Sequence, residues 1–552
     1  MPQKTVYLET FGCQMNELDS ELVAGSLGAL GYTFTRDAKD ADIVLYNTCS
    51  VRERAEQKVW SRLGDMRKEK FDKPDLVVGV LGCMAERDGK DLMARMPVVD
   101  IMCGPAELDK LPELLDNAVR TKSSLAQDDP DVARRRSAKQ VALQGSASRR
   151  SSTLAAAGDS LESLDLGRMV SPIDADGRRS AYVRITRGCN KFCTYCVVPH
   201  TRGAEIHRPP QHIIDEIKSL ADSGVIEITL LGQTVNHYRY EHDSAVMLDG
   251  VLQPQKGRTY KGSHHRDAFA GANTTTFADL LYRIHEEVPA IQRLRFVTSY
   301  PRDFGNDVLE VIRDCPRICR YIHVPAQTGS NRMLKMMNRG YTIEEYNEFI
   351  DRTREYLDQP EIGRPLMLSG DIIVGFPTET DEDHELTKQM LERSRYKNCF
   401  IFKYSPRPGT VAYDKIPDDI PDAIKRVRNN ELLAMQADIS DSIAREQVGR
   451  EFDVFVEGLS RREHKKRGTD VKPGSGMVGI TINGAASKAP VAVLDETPVG
   501  ETVQLSGRTD GDLIVFFDVP SDGPTKPSDY IGQMVRAKIT AADRLNLNGE
   551  LI

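Results

Sequence analysis

The chain opens with short apolar runs of strand length that alternate with amphipathic stretches of helical period. TVYLETFG is followed by a helical pattern over 17–30, DIVLYNT by one over 51–70, LVVGVLG by a helix near Ala85, and VVDIM by a helix over 106–119. Strands that are apolar on both faces, each returning through a helix, predict a parallel sheet covered on both sides. From about 123 to 176 this pattern lapses. The stretch holds no Phe, Tyr, Trp or Cys and is rich in Ser, Ala, Arg, Gln and Asp. A segment that buries so little apolar surface is expected to be a disordered linker.

Alternation resumes at Ala181. Six strands are expected, AYVRIT, EITLL, RLRFVTS, RYIHV, LSGDIIVG and CFIFKYS, with helical patterns between them, for example over 213–221, 277–288 and 382–394. Six β/α units predict an open, partial (β/α)6 barrel. A polar insertion over 239–276, containing His264 and His265, interrupts it and reads as a loop. A helix over 421–447 leads into FDVFVEG, GMVGITI, TVQLSG, DLIVFFDV and QMVRAKITAA, which predict a small antiparallel β-barrel. The expected α/β organisation is therefore a parallel domain over 1–122, a linker over 123–176, a barrel over 177–447 and a β domain over 448–552.

Composition narrows the functional classes. A chain of 552 residues, 40% hydrophobic and 28% charged, is expected to be soluble and to form several domains. No apolar run has the length of a membrane span. The opening MPQKTVYLETFGC lacks the apolar core and cleavage site of a secretion signal, so a cytoplasmic location is expected. The net charge of −8 means that any nucleic acid must be met by local basic patches. Ten cysteines without a secretion signal suggest metal or redox chemistry rather than a disulfide framework.

The sharpest motif is GCNKFCTYC, with Cys189, Cys193 and Cys196 on the loop after the first barrel strand. Three thiolates so spaced can hold three irons of a [4Fe–4S] cube and leave the fourth iron open. An open iron can chelate the amino and carboxylate groups of S-adenosylmethionine (SAM). A structural zinc site wants a fourth ligand, and none stands at a matching spacing. Cys13, Cys49 and Cys83 each follow a predicted strand of the first domain. Carboxyl ends of parallel strands share one edge, where ligands bind, so these thiols can converge on a second cluster. Separate burial of three core cysteines remains the alternative. Cys103 also follows a strand and is a fourth candidate. Cys315 and Cys319 read as structural, and Cys399 as core.

At these residues the chain resembles the tRNA methylthiotransferases, a branch of the radical SAM enzymes. The matching segments are TFGCQMNELDSE, NTCSVRERAEQK, GCMAER, RGCNKFCTYCVVPHTRG, LLGQTVNHY, HVPAQTGSNRMLKMMNRGYT, DIIVGFPTETDEDH, YSPRPGTVA, VEGLSRR and LSGRTDGDLIVFF. The resemblance spans nearly the whole chain outside the linker and insertions. It implies an N-terminal methylthiotransferase domain, a central radical SAM domain and a C-terminal RNA-binding TRAM barrel. It further implies two [4Fe–4S] clusters, one on Cys13, Cys49 and Cys83, the other on catalytic Cys189, Cys193 and Cys196, and SAM as co-substrate. Cys103 falls outside the family pattern. LLGQTVNHY is most similar to the branch that adds a methylthio group to C2 of N6-isopentenyladenosine beside the anticodon, with Thr234 where that branch typically has Asn. Other branches act on threonylcarbamoyl-adenosine or on a ribosomal protein. The implied partners are a tRNA anticodon stem-loop and an electron donor such as flavodoxin or ferredoxin, with no membrane.

Further candidates follow from position. Tyr195 lies inside the cysteine loop. Gln233, Asn236, Ser299, Gln327 and Asp371 stand at or just beyond barrel strand ends, where barrels place their chemistry, and are cofactor-binding candidates. Each has loop capping or packing as its alternative. Arg461, Arg462, Lys465, Lys466 and Arg467 form a basic cluster expected to contact RNA phosphates. Arg134, Arg135 and Arg136 read as solvated, because no aromatic residue stands near them for base stacking.

Overall fold

The computed structural model describes residues 4–50, 53–143, 161–168, 179–257, 273–467 and 502–552. The first domain is a six-stranded parallel sheet in the order Thr33–Phe34, Thr5–Phe11, Ile43–Thr48, Val77–Gly82, Ile101–Cys103, Gln140–Ala142. Its three central strands are buried almost throughout, as strands covered by helices on both faces must be. Tyr46, Val59, Leu63 and Val80 fill one side, and Leu8, Leu27, Leu45 and Leu115 the other. The register pairs Phe11 with Thr48 and Thr48 with Gly82. The three strands therefore end level, just before Cys13, Cys49 and Cys83.

The stretch expected as a disordered linker is ordered where it is described. Helix Leu111–Asp128 runs into it, and helix Pro130–Arg135 follows, with the Asp129 carboxylate accepting from the Asp131 and Val132 amides at 2.9 and 3.4 Å. Gln140–Ala142 then adds the sixth strand to the sheet, and Leu161–Leu166 forms a short helix. The physical reason is that backbone pairing and buried ions hold this segment, together with a few apolar side chains such as Ala138 and Leu161. Ala138 N donates to Asp100 Oδ1 at 3.0 Å. Glu162 pairs with Arg208 at 3.0 Å, Asp165 with Arg184 at 2.7 Å, and Arg168 with both Glu21 and Glu216 at 3.0 Å.

All six expected barrel strands form. Ser180–Arg184, Glu227–Leu231 and Arg293–Val297 make one parallel set, and Tyr321–His323, Met367–Val374 and Asn398–Lys403 a second. A parallel bridge between Leu294 and Ile318 links the sets. Among the described residues the sixth strand pairs with the fifth alone, so the barrel stays open. Capping boxes start three of its helices, from Thr276 and Asp279, Thr342 and Glu345, and Thr380 and Asp383.

The insertion folds back on the barrel. Arg239–Glu241 pairs antiparallel with Thr274–Thr276, and Gln255–Lys256 pairs with Ile206–His207. His264 and His265 lie outside the described residues, as does GMVGITI.

The C-terminal barrel closes through Glu451–Leu459, Thr502–Arg508, Ile514–Pro520, Asn546–Leu551 and Met534–Asp543. It is not wholly antiparallel as expected, because Ile514–Pro520 and Asn546–Leu551 run parallel. The last strand, NLNGEL, buries only alternate positions and carries Asn, Gly and Glu, so its apolar pattern is faint. This domain docks on the radical SAM-like barrel through Arg293, which donates to the carbonyls of Arg508 and Thr509 at 2.7 Å. Lys397 pairs with Asp512 at 2.7 Å beside it. Among the described residues no helix is long and apolar enough to cross a membrane.

Candidate active site where two cysteine trios face each other

The sheet-edge trio is built by tight turns. Gly12 has φ +150, and a Cβ there would stand 2.6 Å from Cys49 Cβ and 2.9 Å from Asn16 Oδ1. Gly82 has φ +85, and its Cβ would stand 2.4 Å from Asn47 Oδ1. Glycine alone lets these turns approach so closely. Cys13 caps helix Gln14–Ala29 and donates its thiol hydrogen to Asn16 Oδ1 at 3.3 Å. Asn16 and Asn47 bond each other, and Asn47 also donates to Ser20 Oγ at 2.9 Å, which fixes the turns behind the sulfurs. A hydrogen bond from Cys49, opposed by burial and aided by the charge of Arg202, lowers the Cys13 thiol to about 6. Arg202 is itself buried and held by Asp19 Oδ2 at 2.9 Å, while Asp19 Oδ1 takes Arg184 at 3.0 Å.

The loop trio is positioned by a tight turn and by bonds from the segment after the fourth barrel strand. Gly188 has φ +66, and a Cβ there would lie 2.0 Å from the Ala204 carbonyl. Cys189 N donates to Gly203 O at 3.2 Å, Thr194 N to Met337 O at 3.0 Å, and Asn338 Nδ2 to Phe192 O at 3.0 Å. Arg339 reaches in from the next loop and donates to Cys193 Sγ and Tyr195 Oη, each at 3.4 Å. Its other arm donates to Pro325 O at 3.0 Å. Burial first, then the charge of Cys193, pushes the Cys196 thiol up to about 12. Burial, followed by Glu205, also raises Cys189. A bound metal inverts that preference, since a coordinating thiol is deprotonated outright. Arg202, at the exit of the loop trio, hydrogen-bonds Asp19 on the helix that Cys13 begins, and Cys13 packs with Leu231 and Val297 at the barrel strand ends, so the two trios lie on either side of one domain boundary.

The remaining candidates separate. Tyr195 packs half-buried against the cluster of Met333, Met337 and Phe376. Gln233 is half-buried, its carbonyl accepting from Thr298 Oγ1 at 3.4 Å. Asn236 commits both ends of its amide to the Tyr300 backbone, at 2.8 and 2.9 Å, and so braces a loop. Ser299 is buried, and its hydroxyl has no hydrogen-bond partner among the described residues. Gln327 adopts φ +74 and bonds Asp371 O and Ile373 N through its backbone. The Asp371 carboxylate lies 3.5 Å from His323 Nε2, and His323 Nδ1 meets Ser369 Oγ at 2.7 Å.

The basic cluster stands on a short helix, Arg461–Lys466, capped by Ser460, not on a barrel strand. Arg461, Arg462, Lys465 and Lys466 are exposed, whereas Arg467 pairs with Glu463 at 2.7 Å. Cys103 turns away from the trio and donates to Glu107 O at 3.1 Å. Arg202, Arg339 and the Glu205–His207–His237 group were not singled out by sequence reasoning. The first two stand beside glycine in HTRG and NRGYT, the one signal that marked them.

The residues fit a pair of sulfur-ligated clusters. Each trio gathers three free thiols, and glycines stand where a Cβ would not fit. Residues 5–104 match the model of "Uncharacterized protein family UPF0004", and residues 183–391 match that of the radical SAM superfamily. A protein of Rhodopirellula baltica named tRNA-2-methylthio-N(6)-dimethylallyladenosine synthase is 39% identical over 515 residues, covering 93% of this chain and 90% of its own. The chain belongs to the tRNA methylthiotransferase family. A relative of the same name from Burkholderia mallei is 36% identical over 557 residues, covering 100% of this chain and 97% of its own. A solved radical SAM methyltransferase, TsrM of Kitasatospora setae, aligns with a TM-score of 0.44 and 16% identity over 74% of this chain and 77% of that one. As a radical SAM methylthiotransferase, the chain is an enzyme that uses SAM and two [4Fe–4S] clusters.

Proposed function

We propose that this methylthiotransferase adds a methylthio group to C2 of N6-isopentenyladenosine next to the anticodon of tRNA. Cys189, Cys193 and Cys196 hold the cluster that binds SAM, and Cys13, Cys49 and Cys83 hold the second. The observation that carries this reading is that the two trios meet at the domain boundary, where Arg202 from the exit of the cysteine loop hydrogen-bonds Asp19 on the helix that Cys13 begins, and Cys13 packs with Leu231 and Val297 at the barrel strand ends. The substrate follows from the name that the full-length relatives share. When bound, the clusters and SAM supply the one-electron and sulfur chemistry that protein side chains lack.

The chain itself supplies charge, orientation and dryness. Arg202 sets a buried positive charge beside Cys13 and Cys83 and favours the thiolate form of Cys13. Arg339 hydrogen-bonds Cys193 Sγ and fixes its direction. The buried Ser299 hydroxyl retains its hydrogen-bonding capacity for a ligand at the strand ends. Exposed Arg461, Arg462, Lys465 and Lys466 bind RNA phosphates and hold the anticodon stem-loop. A flavodoxin or ferredoxin delivers electrons, and the enzyme works in the cytoplasm. Ten free thiols, which call for a reducing compartment, support that location.

The test is nucleoside mass spectrometry of tRNA from a deletion strain, complemented with the wild type or with Cys189→Ala. Wild type should restore 2-methylthio-N6-isopentenyladenosine, and the variant should leave N6-isopentenyladenosine unmodified. Restoration of a methylthiolated threonylcarbamoyl-adenosine instead would overturn the substrate.

A further inference from the structure

Apart from the cysteines, one set of metal-ligating side chains converges among the described residues. Glu205, His207 and His237 each offer a ligand atom, and these atoms lie within 4.8 Å of one another. Glu205 and His207 stand on the segment that leaves the cysteine loop, and His237 on the turn after barrel strand Glu227–Leu231. Glu205 Oε1 accepts from Thr234 Oγ1 at 2.9 Å, and Oε2 lies 2.7 Å from His237 Nδ1.

His207 is the informative member. It is 2% exposed, yet its Nδ1 has no hydrogen-bond partner among the described residues. Buried polar atoms normally find partners, and an exception asks for an ion or another ligand. The backbone closes over the ring's other nitrogen and the Glu205 carboxylate. A Cβ on Gly257 would stand 2.7 Å from His207 Nε2 and 2.9 Å from Glu205 Oε2. Gly257 N donates to Glu205 O at 2.8 Å, and Gly257 O accepts from Asn190 Nδ2 at 2.8 Å, next in sequence to Cys189.

We propose that Glu205, His207 and His237 bind one zinc ion, separate from both cysteine trios. Two imidazoles and one carboxylate are a zinc donor set that leaves a coordination position for water. Ferrous iron takes the same three ligand types and is the rival occupant. The ion ties together the exit of the cysteine loop, the turn after the second barrel strand and the insertion at Gly257.

The test uses full-length enzyme with both clusters reconstituted, washed with chelator and equilibrated with one equivalent of zinc. About one zinc per chain should remain, and its X-ray absorption edge should show a nitrogen and oxygen shell at about 2.0–2.1 Å. The His207→Ala/His237→Ala variant should retain less than about a tenth of that zinc, with cluster iron unchanged. Absence of zinc from the wild type, a sulfur shell near 2.3 Å, or full zinc in the variant overturns the site. Iron on nitrogen and oxygen ligands, in excess of the clusters, overturns the choice of zinc. Should the variant lose its clusters, the wild-type edge spectrum alone decides.

Discussion

The two cysteine trios reach the same count of thiols by opposite routes. Cys189, Cys193 and Cys196 sit on one loop, held by a bond to nearby Gly203 and by bonds to Met337 and Asn338, which follow the fourth barrel strand. Cys13, Cys49 and Cys83 come from three strands whose register brings their ends level. The first trio is a property of a loop, the second of an entire sheet. Their surroundings differ as well. Asp19 and Arg202 form a buried charge system behind the sheet-edge sulfurs, whereas Arg339 touches a loop sulfur directly.

The largest effect that separates them is metal loss. A triple Ala variant of Cys189, Cys193 and Cys196 should lose about one of two cubes and all product. The matching Cys13, Cys49 and Cys83 variant should lose the other. Iron and sulfide counts check this, and loss of all iron from either variant would break the idea of independent sites. Next comes Asp19→Ala, which strands Arg202 in the interior and leaves Arg184 with Asp165 alone. Removing one partner from a buried ion pair costs roughly 3–5 kcal/mol, measurable by denaturant unfolding. Sheet-edge cluster content should fall with it.

Arg339→Gln tests the other side. It should keep both clusters but lower turnover about tenfold to a hundredfold, the usual cost of losing a hydrogen bond behind a metal ligand. Single-turnover assays with an iron count distinguish this from cluster loss. The smallest effect is one of pH. Against the upward push of burial, Arg208, His212 and Arg187 hold the Glu162 carboxyl down at about 2. A folded value below the unfolded one, near 4.3, stabilises the fold above that pH. The gain is lost as pH falls through the interval from about 4.3 to 2. Thermal melting from pH 6 down to pH 3 should show a decline that Glu162→Gln flattens.

Much of this was legible in the chain. The six barrel strands are apolar runs, and the sheet-edge cysteines follow strands of the same kind, so the shared edge could be inferred from parallel topology. Cys103 meets that criterion too, but its thiol turns to the Glu107 carbonyl, a choice that no periodicity encodes. The order within 123–176 was missed because Glu162, Asp165 and Arg168 act as charges inside a protein, while composition counts them as solvent-facing. Asn236, a ligand candidate by position, spends both ends of its amide on the Tyr300 backbone, which no pattern in the sequence announces. Arg202 and Arg339 carry no pattern, since a single buried arginine has no period. The strand NLNGEL was faint for the converse reason, with too few apolar positions to register.

The helix Leu161–Leu166, with Arg168 just past its end, has a mechanical consequence. Its carboxylates grip Arg184 and Arg208 of the barrel, while Arg168 spans Glu21 of the sheet domain and Glu216 of the barrel. A greasy seam tolerates sliding, because apolar contact has no preferred direction. Guanidinium forks accept carboxylates only at set angles. The segment therefore works as a dowel between two machined faces, fixing the rotation of one domain against the other as well as its distance, and with it the aim of one set of sulfurs at the other.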